Sequence, residues 1–342
     1  MRKLWSDPPG LTRACVLFSS PQNDLSLNVD GRQFGDIMDR VLHIDLQENK
    51  SVSQLLQSME KVGVLGAGRL GRATSITRRM LNDSDCFTYL SMSGPMVPGG
   101  LRKVISYLVE NNHIDAIITS GANIVHDLVE AYGGSHYRVP EKSDAELREA
   151  GMGRIADLYV NEKDFEVFEK RIYEFLDSLS EEERTTLAPS EFLTKLGSTV
   201  NDDKSIIRQA ALKNIPIFSP GLMDSMLGFH LYTYSTMNKM SLDFVKDLRI
   251  LGEMVVEAKK TGAIMLGGGL TKHFTMGSTI LRGGLDLAVQ ITLDRPEGGS
   301  LGGAPLKEGV SWQKVQTEAS FESVIGDATI IFPLMIIAAL EN

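Results

Sequence analysis

The residues with the most chemical promise stand late in the chain, in Ser311-Trp312-Gln313-Lys314. A lysine amine is a nucleophile only when neutral, and an ordinary lysine, with a pKa near ~10.4, is less than about 0.1% neutral at pH 7. Packing against Trp312 would lower that pKa by desolvation, whereas a solvated lysine beside a core tryptophan would do no chemistry. A second candidate is Gly267-Gly268-Gly269, followed by Lys272 and His273. Three glycines after a strand expected at residues 263–266 let a ligand approach the backbone, and the helix start behind them favours phosphate. A tight strand-to-helix turn would call for the same glycines. Asp224, in Pro220-Gly221-Leu222-Met223-Asp224, follows a strand expected at residues 215–218 and suits either a site at a strand end or a helix N-cap. Gly66-Ala67-Gly68-Arg69-Leu70-Gly71 spells the dinucleotide fingerprint G-x-G-x-x-G. The apolar run before it is only residues 62–65, and Asp83 and Asp85 precede the next strand instead of ending it, so a helix-capping turn is the competing reading. His43, His113, His126, His136 and His230 have no metal-like or triad spacing, and no metal site is expected.

These residues need a frame, and the hydrophobic pattern supplies one. Short β-branched runs alternate with amphipathic ones: strand Cys86–Met92, helix 101–110, strand 115–119, helix 124–131. Residues 141–213 read as a helical excursion, with Phe165, Phe168, Ile172, Phe175 and Leu176 at helical spacing. The alternation then resumes with strand 215–218, a helix through 240–260, strand 263–266, a helix and strand 287–292. Repeated βα units predict an α/β fold with a mostly parallel sheet covered by helices. Residues 1–45 read as an irregular N-terminal extension and residues 46–342 as a single α/β domain, within the size one chain of 342 residues allows.

Composition narrows the function classes. A net charge of −9 works against general nucleic-acid binding and would draw cationic substrates. Two cysteines, Cys15 and Cys86, predict no disulfide framework and a cytoplasmic location. The apolar stretch 328–340 contains Pro333 and falls short of the roughly 20 residues that span a bilayer, so it reads as a buried terminal element, with no membrane partner.

Taken together, residues 50 to 340 resemble the deoxyhypusine synthase family. The most specific stretch is Glu308-Gly309-Val310-Ser311-Trp312-Gln313-Lys314, which is similar to the family's E-A-V-S-W-G-K. The resemblance implies a Rossmann-like, mostly parallel sheet flanked by helices, with residues 46–342 as the NAD-binding catalytic domain. It gives Lys314 the role of imine-forming nucleophile, His273 and Asp224 the role of bases, and Glu308 and Trp312 the polyamine. For NAD it implies Gly267, Gly268, Gly269, Thr292, Asp327 and Ala328, with Ser120, Gly121, Ser93 and Gly94 at the remaining contact positions, and it favours the capping reading of Gly66 to Gly71. The activity implied is NAD-dependent transfer of the 4-aminobutyl group of spermidine to a lysine of the translation initiation factor 5A precursor. Homospermidine-type transfer to putrescine and a catalytically silent NAD-binding homologue are the alternatives. The family also implies a homotetramer, with Lys314 and His273 of one site drawn from different subunits. Three positions depart from the family pattern where it holds the polyamine: Phe229, Gly277 and Leu301.

Overall fold

The computed structural model describes residues 28–29, 32–33, 39–138 and 142–341. Contacts group the chain into two units, Met1–Val41 and Leu42–Asn342. The first contains an antiparallel pair, β1 (Asn28–Val29) and β2 (Arg32–Gln33). Most of the expected N-terminal extension lies outside the described residues.

The second unit opens with α1 (Val52–Val62), α2 (Leu65–Asn82), β3 (Cys86–Met92), a π-helical turn (Val97–Leu101), α3 (Arg102–Glu110), β4 (Ala116–Thr119) and α4 (Gly121–Ala131). The middle of the chain forms β5 (His136–Tyr137), α5 (Asp144–Glu149), β6 (Met152–Ile155), β7 (Leu158–Asn161), α6 (Glu162–Ser178), α7 (Glu181–Thr186), α8 (Pro189–Thr199) and α9 (Ile206–Lys213). The last third holds β8 (Ile217–Phe218), α10 (Met226–Ser235), α11 (Phe244–Glu257), β9 (Lys260–Leu266), α12 (Gly269–Ser278), β10 (Leu285–Thr292), α13 (Glu308–Ser311), β11 (Val315–Ile325) and α14 (Ala328–Leu340).

The main sheet is parallel throughout, in the order β11-β10-β9-β3-β4-β8. From β3 the chain winds outward through β4 to β8, then returns to β9 on the other side of β3 and winds outward again to β11. The switch point therefore lies between β3 and β9, where the two directions of winding leave a crevice at the strand ends. Register aligns those ends: Met92 pairs with Thr119 and Leu266, and Leu266 with Ile291. Ser93, Gly267 and Ser120 consequently emerge along one edge.

Both faces of the sheet are covered, which explains why its strands read as continuous apolar runs. Leu90, Ile117, Ile264 and Val289 feed one core, while Tyr89, Ile118, Met265 and Ala288 feed the other. The helical spacing read in residues 165–176 is that of α6, which buries Phe168, Ile172, Phe175 and Leu176. The expected helical excursion is only partly helical. It also contains β6 and β7, which join β5 in an antiparallel sheet; strands of four residues with Gly151 and Gly153 around them are too short to show an alternating pattern. Residues 328–340 form α14, and among the described residues no helix is long and apolar enough to cross a membrane.

The glycine fingerprint lies inside helix α2. A Cβ on Gly68 would come within 2.3 Å of the Gly63 carbonyl carbon, and one on Gly71 within 2.2 Å of the Glu60 nitrogen. These two glycines let α1 and α2 cross in contact. The turn between the helices is made by Gly63, whose φ of 75° is left-handed, so the capping role falls to a glycine outside the fingerprint.

Candidate active site

Two cavities flank the N-terminal half of α12. The smaller, of about 290 Å³, is walled by Lys272, His273, Met276, Leu301, Ala304, Pro305, Glu308, Gly309, Trp312 and Lys314. It gathers the lysine, the histidine, the glutamate and the tryptophan singled out in the sequence. Lys314 stands just before edge strand β11, and its backbone is pinned on both sides. Its nitrogen donates to the Gly309 carbonyl at 2.8 Å and its carbonyl accepts from the Leu285 nitrogen at 3.1 Å. The intervening Gln313 has φ 56°, a left-handed conformation that suits glycine better, and glycine is what the family stretch carries there.

With the backbone so held, Lys314 Nζ reaches to 3.2 Å from His273 Nε2 and lies 5.8 Å from the Trp312 ring centroid, within cation–π range. Burial, and after it the Lys314 charge, hold the imidazolium of His273 below the usual histidine range. The shift favours the uncharged ring, the form that can accept a proton. Both groups face each other within one chain, where the resemblance implied that they come from different subunits. Trp312 is 69% exposed. It gives Lys314 an aromatic face on one side instead of the burial expected from the sequence.

The larger cavity, of about 1200 Å³, opens at the switch point itself. It is lined by Ser93 and Gly94 after β3, Gly267, Gly268 and Gly269 after β9, Thr292 at the end of β10, and Asp327 and Ala328 at the start of α14. Gly267 and Gly269 have φ of 78° and 64°. A Cβ on Gly267 would lie 2.4 Å from Ser93 Oγ, which itself accepts a hydrogen bond from the Gly268 nitrogen at 2.8 Å. The N-termini of α12 and α14 both meet this cavity, and the positive end of a helix dipole suits phosphate. Asp327 caps α14, accepting from the nitrogen and hydroxyl of Thr329, each at 2.8 Å.

Other sequence candidates fall elsewhere. Ser120 and Gly121 start α4 and line neither cavity; Gly121 packs on the Leu222–Ser225 turn, where a Cβ would meet Ser225 Oγ at 2.5 Å. Asp224 is exposed and lines neither cavity, and the N-cap of α10 is Ser225, which accepts from the Gly228 nitrogen. Of the departing positions, Leu301 lines the smaller cavity, whereas Phe229 is exposed on α10. Sequence reading gave Lys272 and Gln290 no role. Lys272 is 4% exposed and Gln290 1%, and burial pushes the Lys272 amine down to about 8 against the opposing pull of Glu308 and Asp294. The available signals were an amide inside an apolar strand and a lysine in the first turn of a helix, where the dipole disfavours a cation.

A doubly wound parallel sheet with a cavity at its switch point, beside a facing lysine and histidine, defines the class: an α/β enzyme of Rossmann-like build. The family model for deoxyhypusine synthase matches residues 54–339. The "Probable deoxyhypusine synthase" of Methanothermobacter thermautotrophicus is 46% identical over 302 residues, covering 88% of this chain and 98% of that protein. Its counterpart from Methanopyrus kandleri is 44% identical over 287 residues, covering 84% and 93%. A crystal structure of a candidate deoxyhypusine synthase from Entamoeba histolytica shares the fold, with a TM-score of 0.62 at 24% identity over 87% of this chain and 96% of that one. The chain belongs to the deoxyhypusine synthase family, whose members are aminobutyl-transferring enzymes.

Proposed function

We propose that this protein is a deoxyhypusine synthase, which moves the 4-aminobutyl group of spermidine onto a lysine of the translation initiation factor 5A precursor. The observation that carries the reading is the 3.2 Å approach of Lys314 Nζ to His273 Nε2 in a cavity that also presents Glu308. Uncharged His273 takes the proton that keeps Lys314 from acting as a nucleophile. Lys314 Nζ then attacks the imine carbon of oxidised spermidine, propane-1,3-diamine leaves, and the aminobutyl group is held as an imine on Lys314. The amine of the acceptor lysine displaces Lys314 in turn. Glu308 pairs with an ammonium of the polyamine, and Trp312 covers the cationic chain, worth roughly 0.5 to 2 kcal/mol.

NAD fits the larger cavity on the chemistry of its wall, with glycines where a Cβ would collide and two helix N-termini for the pyrophosphate. When bound it would supply the hydride-transfer chemistry that oxidation of spermidine and reduction of the product imine require. Gly267, Gly268, Gly269, Ser93, Gly94, Thr292, Asp327 and Ala328 would hold it. Residues 46–342 serve as one catalytic domain in the cytoplasm. Assembly as a homotetramer follows from the family resemblance, and the exposed apolar stripe of Met226, Phe229 and Tyr232 on α10 is compatible with a contact to another protein surface. Transfer to putrescine and a silent NAD-binding role are not favoured by the family match.

The test is incubation of the purified chain with spermidine and NAD, followed by addition of the factor 5A precursor. Propane-1,3-diamine release, borohydride-trapped label on Lys314 and a mass gain on the precursor are expected. Label retained in Lys314→Arg would remove Lys314 from its role, and transfer to putrescine with an unmodified precursor would replace the acceptor.

A further inference from the structure

The wall of the smaller cavity holds a second lysine that the proposed reaction does not use. Lys272 stands in the first turn of α12, nearly inaccessible to solvent. Burial of an ammonium is costly, and the positive end of the helix dipole adds to the cost. Two hydrogen bonds offset it: Lys272 Nζ donates to Gln290 Oε1 at 2.9 Å and to the Ala304 carbonyl at 2.5 Å. Gln290 in turn donates from Nε2 to the Gly267 carbonyl at 3.0 Å and to the Gly302 carbonyl at 2.7 Å. An ammonium cannot accept and a carbonyl cannot donate, so only this orientation of the amide satisfies all its neighbours.

These bonds join two segments that no sheet or helix connects. One is the triple-glycine turn; the other is the loop of residues 293–304, which lines both cavities, the larger through Leu293 and Asp294 and the smaller through Leu301 and Ala304. Residues 293–301 are exposed, so little apolar packing holds that part of the loop. The two segments touch closely, since a Cβ on Gly268 would lie 2.1 Å from Gly302 Cα.

We infer that Lys272 and Gln290 are positioning residues, a buried latch that holds the 293–304 loop against the triple-glycine turn and so sets the shape of both cavities at once. Removing the ammonium leaves two buried oxygens without a donor and frees the loop. Both ligand sites loosen together, while the facing of Lys314 and His273, held through α12, α13 and β11, is kept. The coupling of the two ligand sites rests on their proposed assignment to NAD and spermidine; the latch itself does not.

The experiment compares the full-length wild type with Lys272→Met and Gln290→Glu. Gln290→Glu keeps an acceptor for Lys272 but turns a carboxylate oxygen toward the Gly267 and Gly302 carbonyls, so it tests the latch even where Lys272→Met fails to fold. Amide hydrogen exchange in residues 300–304 should accelerate roughly ten- to a hundred-fold in either variant, the equivalent of one lost charge-assisted hydrogen bond. KM for spermidine and Kd for NAD should rise together, with the rate of imine trapping on Lys314 at saturating substrate within a few-fold of wild type. Unchanged exchange in both variants would overturn the latch. A trapping rate lowered a hundred-fold at unchanged KM and Kd would also overturn it, making Lys272 a catalytic residue instead. If the wild type cleaves no spermidine, the proposed function fails and the exchange measurement still decides the latch.

Discussion

A set of three glycine-to-alanine substitutions separates the two glycine motifs by sign as well as by site. Gly66 is in the first turn of α2, and a Cβ there meets nothing within 4 Å. Gly66→Ala should therefore stabilise the fold by about 0.5–1 kcal/mol through helix propensity, raising Tm by about 1–3 °C. Gly68→Ala gains the same propensity, but its Cβ lies 2.3 Å from the Gly63 carbonyl carbon, where ordinary contact begins at 3.4 Å. Helix α1 must retreat by the difference, 3.4 − 2.3 = 1.1 Å, and overpacking of that kind costs about 1–3 kcal/mol, so the net change is a loss. Neither substitution touches the larger cavity, and NAD affinity should stay as in the wild type. Gly268→Ala reverses the pattern. Its φ of −166° is extended backbone open to any residue, so the contact alone is tested. A Cβ 2.1 Å from Gly302 Cα displaces the loop by more than 1 Å, and NAD affinity should fall at least about tenfold, the loss of one to two hydrogen bonds. Calorimetric titration with NAD and thermal melts of the three variants provide the measurement. Weakened NAD binding in folded Gly66→Ala or Gly68→Ala, with Gly268→Ala unaffected, would restore the dinucleotide reading of the N-terminal motif and refute this one.

Three further outcomes are expected. Burial, then the His136 charge, depresses the pKa of His126 to about 4, with Glu130 opposing. The unfolded chain binds that proton near pH 6.5, so the stability from neutral His126 is complete above pH 6.5 and is lost as pH falls toward 4; urea melts of His126→Gln should show this slope reduced by about 1–3 kcal/mol over that range. Leu301→Asp places a carboxylate in the cavity with Lys314 and should lower KM for spermidine by up to about tenfold in steady-state kinetics, an unchanged or higher KM placing the polyamine elsewhere. Gln313→Gly removes a left-handed non-glycine residue and should raise stability by up to about 1 kcal/mol in denaturant melts, a loss showing that the turn is unstrained.

The local elements were legible because each carries its own period. Strand Cys86–Met92 and the buried stripe of α6 could be read from a window of residues, since an apolar run or a 3.6-residue repeat needs no partner to be recognised. β11 was not legible: it is an edge strand with a half-buried, polar face, and only pairing with β10 makes it a strand. The fingerprint at Gly66 was ambiguous for a related reason. Glycines at three-residue spacing serve equally for a phosphate turn and for the crossing of two helices, and only the neighbouring α1 distinguishes them.

From the sequence alone came the α/β class, the family resemblance, and the types of residue available to the site: an amine at Lys314, an imidazole at His273, a carboxylate at Glu308 and a glycine turn at Gly267 to Gly269. Tertiary structure decided which of them meet. It brought Lys314 and His273 to 3.2 Å within one chain, left Asp224 and Ser120 outside both cavities, and buried Lys272 against Gln290. The reason is physical: period and propensity act over a few residues, whereas strand order, loop approach and desolvation arise only when distant segments pack.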